Sequence, residues 1–279
     1  MPAPPHRLYA IRYATNGTRL ESENLSWIAP HGDCPHDRTM PIDFFVWAAV
    51  RGREVTLVDS GSDAATCRSR GNEFLQSPAD GLARIGVDAT DVRHVVTTHL
   101  HWDHCGNLAA FPNARLHVQR TEVAHACGPA MGSPFLRRAF DVDQVAAYVR
   151  AIYDGRVTFH DGPEEVVPGL SLHPVGGHTP GMQAVRVVTE RGAVVLASDA
   201  AHFFRNLEEE NPFPILVDVV QYVEGLRSLS ALAGSREYLV PGHDPAVLSM
   251  YPAAGPDTEG AVVRLDVEPA ERPVEATHP

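Results

Sequence analysis

The sequence predicts a mixed α/β fold, layered sheets with helices on the outside, and three observations predict it. Apolar, β-branched runs recur along the chain, each bounded by Gly, Pro, Asp or Asn, as strands are. Segments of helical periodicity with capping residues lie between several of them. The strands also cluster in consecutive runs near 42–58 and 156–198 instead of alternating regularly with helices. Hairpin-linked strands of that kind bury their apolar faces only by stacking as sheets under helices.

Taken in order, "RLYAIRYA" opens the chain as a strand, "DFFVWAAVRG" and "EVTLVDSG" read as a hairpin, and "RHVVTTH" and "ARLHVQ" follow as further strands. "RVTFH", "LSLHPVGG", "QAVRVVT" and "AVVLASD" form the second strand cluster, and "EYLVPGH" ends the series. Helices are expected from Pro78 to Ile85 behind a Ser77 cap, from Thr121 to Ala126, from Val142 to Tyr153 behind Asp141, and from Val217 to Ala233. Residues 128–140, "GPAMGSPFLRRAF", have loop composition but carry two phenylalanines and two arginines, which suits a lid or interface segment. One domain is expected over residues 1–255, with 256–279 a Pro/Glu-rich tail, partly mobile.

A chain of 279 residues, 44% hydrophobic and 21% charged, has enough apolar surface for a substantial core. Its 23 basic and 35 acidic residues give a formal charge of −12, which argues against nucleic acid or an anionic membrane surface as partner. Every basic residue is arginine; without lysine there is no Schiff-base chemistry. The segment "MPAPPHRLYAIRYATNG" lacks the pattern of a secretory signal, and no stretch is long enough to span a membrane. Cys34, Cys67, Cys105 and Cys127 are widely spaced and form no C-x-x-C pair, as expected of reduced thiols in a cytoplasm. Cys105 reads first as a small buried residue.

The chemistry concentrates in "TTHLHWDHCGN", residues 97–107. His99 and His101 leave the strand on one side by two-residue alternation, and Asp103 and His104 begin the next turn. A divalent metal needs three or four N/O ligands, and this cluster offers two partial sets, so two adjacent metals are expected. The missing ligands should stand at other strand ends. His178 lies in "GGHTPG", Asp199 ends the apolar strand "AVVLASD", and His243 follows a Pro-Gly turn in "LVPGHD". A carboxylate at the end of a buried strand is costly unless paired or bound to a cation. Single histidines such as His6, His94, His117, His125, His160, His173 and His278 read as surface or core residues.

"THLHWDH", "GGHTPG", "ASD" and "PGHD", in that order, resemble the metallo-β-lactamase superfamily over about residues 40–250. The resemblance implies an αββα sandwich with two metals at one edge between the sheets. It implies that His99, His101 and His178 hold one metal, that Asp103, His104 and His243 hold the other, and that Asp199 bridges. It also implies that Asp59 in "LVDSG" supports the site from behind the ligands. Within the superfamily, "HLHWDHCGNLAAFPNARLHVQRTEVAHA", "GGHTPGMQAVRV" and "ASDAAHFF" are most similar to the quorum-quenching N-acyl homoserine lactonases. Those enzymes usually carry a tyrosine three residues after the bridging aspartate, where it contacts the lactone carbonyl; here the residue is His202, whose ring N–H can donate the same hydrogen bond.

The expected reaction is therefore opening of an N-acyl homoserine lactone or related lactone by a hydroxide shared between two divalent metals, zinc by default, with iron, manganese or cobalt as other candidates. His202 would steady the oxyanion, and Asp103 or Asp199 would carry the proton to the ring oxygen. Among Phe44, Phe45, Trp47, Trp102, Phe203 and Phe204, Trp102 and Phe203 are the aromatics favoured to line the substrate pocket. His31 and His36, in the loop 29–43, are expected at its entrance. A small-molecule lactone or ester is the expected partner, with neither nucleic acid nor membrane, and a homodimer is compatible with the sequence. A glyoxalase II-like thioesterase or another carboxylic ester hydrolase shares the ligand set, but no basic C-terminal cluster for glutathione is evident. A β-lactamase lacks its lysine here and has Asp199 in place of a bridging cysteine. An oxygen-reducing protein would carry glutamate at His101, and a nuclease is disfavoured by net charge. A non-catalytic metal-binding protein on this scaffold would be expected to have lost ligands.

Overall fold

The computed structural model describes residues 4–27 and 38–270. His31, His36, Cys34 and the end of the tail, 271–279, lie outside the described residues. The first sheet contains β1 (Arg7–Asn16), β2 (Ile42–Arg51), β3 (Glu54–Val58), β4 (Glu73–Phe74), β5 (Val92–Val96), β6 (Arg115–Gln119), β7 (Val157–His160) and β13 (Val262–Arg264), in the order β13-β1-β2-β3-β5-β6-β7 with β4 on β1. The second runs β12 (Leu239–Pro241), β11 (Gly192–Ser198), β10 (Gln183–Thr189), β9 (Leu170–Pro174), β8 (Glu164–Val167). Eight α-helices accompany them: α1 (Ala64–Ser69), α2 (Pro78–Ala83), α3 (Arg120–Ala126), α4 (Pro134–Arg137), α5 (Val142–Tyr153), α6 (Phe204–Glu208), α7 (Val219–Ala233) and α8 (Ala246–Met250). The fold is the expected αββα sandwich.

Alternation along the strands explains the layering. In β2, Phe45, Trp47 and Ala49 face the second sheet, where they meet Leu172, Val185, Val187 and Leu196. Phe44, Val46, Ala48 and Val50 face the other way, into a cluster with Leu82 of α2 and Tyr148 of α5. Buried on both faces, β2 reads as a continuous apolar run. α7 covers the second sheet with Tyr222, Leu226 and Leu229.

The helix signals in the sequence work locally. The Ser77 side chain accepts from the Asp80 N–H in a capping box, Asp141 caps α5 through the Asp143 and Gln144 N–H groups, and Asp218 caps α7 through Gln221. α7 thus begins two residues later than its apolar pattern suggests, because Asp218 offers a better cap than anything before Val217. Among the described residues, no helix is long and apolar enough to cross a membrane.

The expected boundary at residue 255 falls short. β13 pairs antiparallel with β1, Tyr9 opposite Arg264 and Ile11 opposite Val262, and Val262, Val263 and Leu265 are buried. Three residues flanked by Gly, Asp and Pro make a weak strand signal. They are held because they cover the edge of β1.

Candidate metal centre

Every residue singled out for the centre stands at or just past a strand end on one edge of the sandwich. The loop after β5 carries His99, His101, Asp103 and His104, the β9–β10 loop carries His178, Asp199 follows β11, and His243 follows β12. Two residues at strand ends sit in the left-handed region, Asp59 at φ 59° after β3 and Ser198 at φ 46° before Asp199. Non-glycine residues are held there only when their surroundings over-determine them, and such strain clusters at functional sites. Gly242, before His243, is needed for a different reason: a Cβ there would meet the Ser198 carbonyl oxygen at 2.6 Å. The Pro-Gly step therefore brings the β12 turn against the β11 turn, with the Gly242 and His243 N–H groups donating to the Ala201 and His202 carbonyls.

The donors fall into two sets, His99, His101, His178 and Asp199, and Asp103, His104, Asp199 and His243, with the ligand atoms of each within 4.8 Å of one another. Asp199 belongs to both. Its Oδ2 faces His178 Nε2 at 3.2 Å and His99 Nε2 at 3.6 Å, while Oδ1 faces His243 Nε2 at 2.9 Å and His104 Nε2 at 3.0 Å. His101 Nδ1 lies 2.9 Å from His178 Nε2, and Asp103 Oδ2 lies 3.5 Å from His104 Nε2. Donors at about 2.0–2.2 Å from a tetrahedral ion stand about 3.3–3.6 Å apart, so both sets are near the size such an ion requires.

The residues also fit metals by what they leave unsatisfied. His99 Nε2 is buried without a hydrogen-bond partner, a costly state that a cation beside the ring would relieve. Burial holds His99 and His101 far below the usual imidazole pKa, with neighbouring imidazoles adding to the effect, so both are neutral donors. Burial would raise Asp199, but His104, His202, His243 and His99 hold its carboxyl well below the usual range. His104 is raised despite its burial, because Asp199, Asp103 and Asp59 surround it.

Asp59 itself stands behind the donors. Its Oδ1 accepts from the Thr98 N–H at 2.7 Å, and its Oδ2 from the Thr98 hydroxyl at 2.8 Å and His104 Nδ1 at 2.7 Å. It orients the His104 ring and fixes the start of the ligand loop. His243 Nδ1 is held in the same way by the Asp43 carbonyl at 2.8 Å. His202 is buried, with Nε2 3.0 Å from Asp199 Oδ2 and its ring stacked on Phe213 at a centroid distance of 3.5 Å.

The substrate aromatics are placed differently from the expectation. Trp102 packs under the loop against Phe44 and the Arg70 guanidinium, and its backbone N–H donates to the Ala139 carbonyl. Phe203 is buried and faces a separate cavity with Met40, Phe204 and Met250. A small cleft at His101 and His178 is lined by Phe135, Leu136, Arg138 and Phe140 and by Ile215, Leu216 and Val217. The first four belong to the 128–140 segment; the last three were missed, although "FPILVD" is an unusually apolar stretch between two helices. Phe44, Phe45 and Trp47 are core residues. Cys105 is buried against the Leu100 and His101 carbonyls, and its thiol pKa is raised by burial, so it is an inert packing residue.

The sequence profile of the metallo-beta-lactamase superfamily matches residues 44–247, from β2 to α8. The chain belongs to the metallo-beta-lactamase superfamily. Within that superfamily it is 31% identical over 258 residues to N-acyl homoserine lactonase AttM of Rhizobium radiobacter, covering 86% of this chain and 93% of the relative. It is 33% identical over 133 residues to an N-acyl homoserine lactonase of Bacillus thuringiensis, 47% of this chain and 48% of the relative. The chain thus spans about half the length of the Bacillus relatives it matches. A solved quorum-quenching N-acyl homoserine lactone lactonase shares the superfamily fold with a TM-score of 0.70 at 24% identity, covering 88% of this chain and 94% of that one.

Proposed function

We propose that this member of the superfamily is a dinuclear metal-dependent hydrolase that opens a lactone ring, with N-acyl homoserine lactones as the leading substrate class. The observation that carries the reading is Asp199, whose two oxygens face two separate imidazole sets. Relatives that act on N-acyl homoserine lactones support the substrate class.

In this reading His99, His101 and His178 hold one ion, Asp103, His104 and His243 the other, and Asp199 is shared. Two divalent ions, zinc by default for these N/O donors with iron, manganese or cobalt as alternatives, would supply Lewis acidity and activate water at neutral pH. The chain supplies the rest. Asp103 or Asp199, both ionised, would accept the one proton released as water attacks and return it to the ring oxygen. His202 presents Nε2 to the centre beside Asp199, and in its neutral form that N–H would donate to the carbonyl oxygen. Apolar side chains around His101 and His178 would pack on an acyl chain and shield the site from bulk water. The same reading places the protein on a small molecule without nucleic acid, as monomer or homodimer, in a reducing cytoplasm suited to its free cysteines.

A pH-stat screen of the metal-loaded chain against acyl-homoserine lactones of varied length, aromatic lactones, aryl esters and S-lactoylglutathione tests the class. Faster turnover of the thioester than of any lactone would overturn it. Asp199→Ala is expected to abolish hydrolysis and lower metal content; a variant that kept two metals and full lactone turnover would sink the mechanism.

A further inference from the structure

The two donor sets differ in how their imidazoles are held. In the second set, His104 and His243 each have a partner on the nitrogen that faces away from the site, Asp59 for one and the Asp43 carbonyl for the other. In the first set, His178 has none among the described residues: its Nε2 faces His101 and Asp199, and its Nδ1 is buried without a hydrogen-bond partner. The direction of that ring rests on packing against His101 and His202 and on the backbone of its own loop. The first set is also split between two loops, His99 and His101 on one and His178 on the other, so its size depends on how those loops are joined.

Glu122, in the first turn of α3, joins them. It is fully buried, and both carboxylate oxygens are used on backbone groups. Oε1 accepts from the N–H of Leu100, the residue between His99 and His101, at 2.9 Å. Oε2 accepts from the N–H of Gly181, three residues after His178, at 3.1 Å. Gly181 gives a second, independent sign that this contact is built. A Cβ at that position would meet the Glu122 backbone nitrogen at 2.3 Å and its Cβ at 2.4 Å, so only glycine lets the helix start come close enough. Burial raises the Glu122 carboxyl pKa, and the Thr179 hydroxyl, the Leu100 N–H, His125 and the Gly181 N–H act against that rise.

We propose that Glu122 is a positioning residue of the metal centre: its buried carboxylate straps the His99–His101 loop to the His178 loop and sets the spacing of the first donor set. It touches neither metal nor substrate. The inference rests on the metal-centre reading above and not on the identity of the substrate. Because Asp59 and the Asp43 carbonyl hold the outer nitrogens of His104 and His243, loss of the strap is expected to fall mainly on the first set. Glutamine is the sharp substitution, since it keeps the shape but turns one acceptor into an N–H donor facing another donor.

The experiment titrates the metal-free full chain with Co²⁺, following bound metal after desalting and the visible absorption of each equivalent. His178→Ala, which removes a donor of the first set, identifies the equivalent that belongs to it. Glu122→Gln is expected to weaken that equivalent by about 10–100-fold and to alter its Co²⁺ spectrum, while the other binds as in the unmodified chain. Unchanged affinity and spectrum for both equivalents would overturn the inference, and so would an equal loss at both, which marks a merely structural role. Should Glu122→Gln fail to fold, Gly181→Ala serves, with the same one-site loss expected and unchanged binding as the overturning result. If the chain hydrolyses no lactone but shows the one-site loss, the inference stands and the substrate reading falls. If the unmodified chain binds no Co²⁺, the metal-centre reading falls and takes the inference with it.

Discussion

His202 stands where the lactonase resemblance implies a tyrosine, and its surroundings define what it can do. Its ring lies parallel to Phe213, within 8°, and between that face and Asp199 it has little freedom to turn. Burial pushes its pKa down to about 3 against the pull of Asp199, so the ring is neutral and has one N–H to give. His202→Phe keeps the aromatic stack and removes the donor. We expect kcat for a lactone to fall about 10²–10³-fold, the usual loss for one oxyanion donor, while metal analysis still finds two ions. An unchanged kcat would assign His202 to packing alone.

At the scale of elements, the site is closed by two short apolar pieces that no strand or long helix supplies. α4 and the turn after it bring Phe135, Leu136 and Phe140 over His101, with Phe140 edge-on to the imidazole at 4.6 Å between centroids. Ile215, Leu216 and Val217 face them, anchored where the Val217 and Asp218 N–H groups donate to the Gly177 carbonyl beside His178. An acyl chain lying between the two would gain about 0.8 kcal/mol for each buried methylene. Leu216→Ala is accordingly expected to lower kcat/KM for long-chain acyl lactones about tenfold and to leave short-chain lactones nearly unchanged. Equal losses across a chain-length series would show that the groove does not hold the chain. The 128–140 segment stood out in the sequence because phenylalanines in a loop are out of place. Residues 213–217 were not, because an apolar run before a helix reads as part of that helix.

Across the whole molecule, the two sheets are tied away from the metals by a ladder of histidines. His94 Nδ1 lies 3.0 Å from His117 Nε2, His117 Nδ1 lies 3.1 Å from His160 Nε2, and His160 Nδ1 lies 2.8 Å from Glu164 of β8 in the second sheet. Burial first, then His94, His160 and Arg115, holds the His117 pKa at about 3. The folded chain thus keeps this ring neutral while the unfolded chain protonates it below about 6.5. Its contribution to stability is complete above that pH and is lost as pH falls toward 3, by at most about 1.4 kcal/mol per unit. Urea unfolding at pH 7.5, 6 and 5 should show a steeper decline for the unmodified chain than for His117→Asn, the titration of the metal donors cancelling in the difference. Parallel declines would remove His117 from the account.

The sequence by itself determined the ligand set and its pairing with strand ends, because H-x-H-x-D-H after an apolar strand, and a lone His or Asp closing three others, are short local signals. It also determined the layered α/β class and most helix starts, since alternation and capping act within a few residues. Tertiary structure decided what depends on partners far apart in the chain. Val262–Arg264 became a strand only because β1 had an open edge, and Trp102 went into the core because Phe44 and Arg70 closed over it. It likewise decided that Asp199 offers one oxygen to each set, and that Glu122 joins loops separated by 77 positions between His101 and His178. A carboxylate in "VQRTEVAHA" looks like any other acid at a helix start; its role follows from the two backbone N–H groups that folding brings to it.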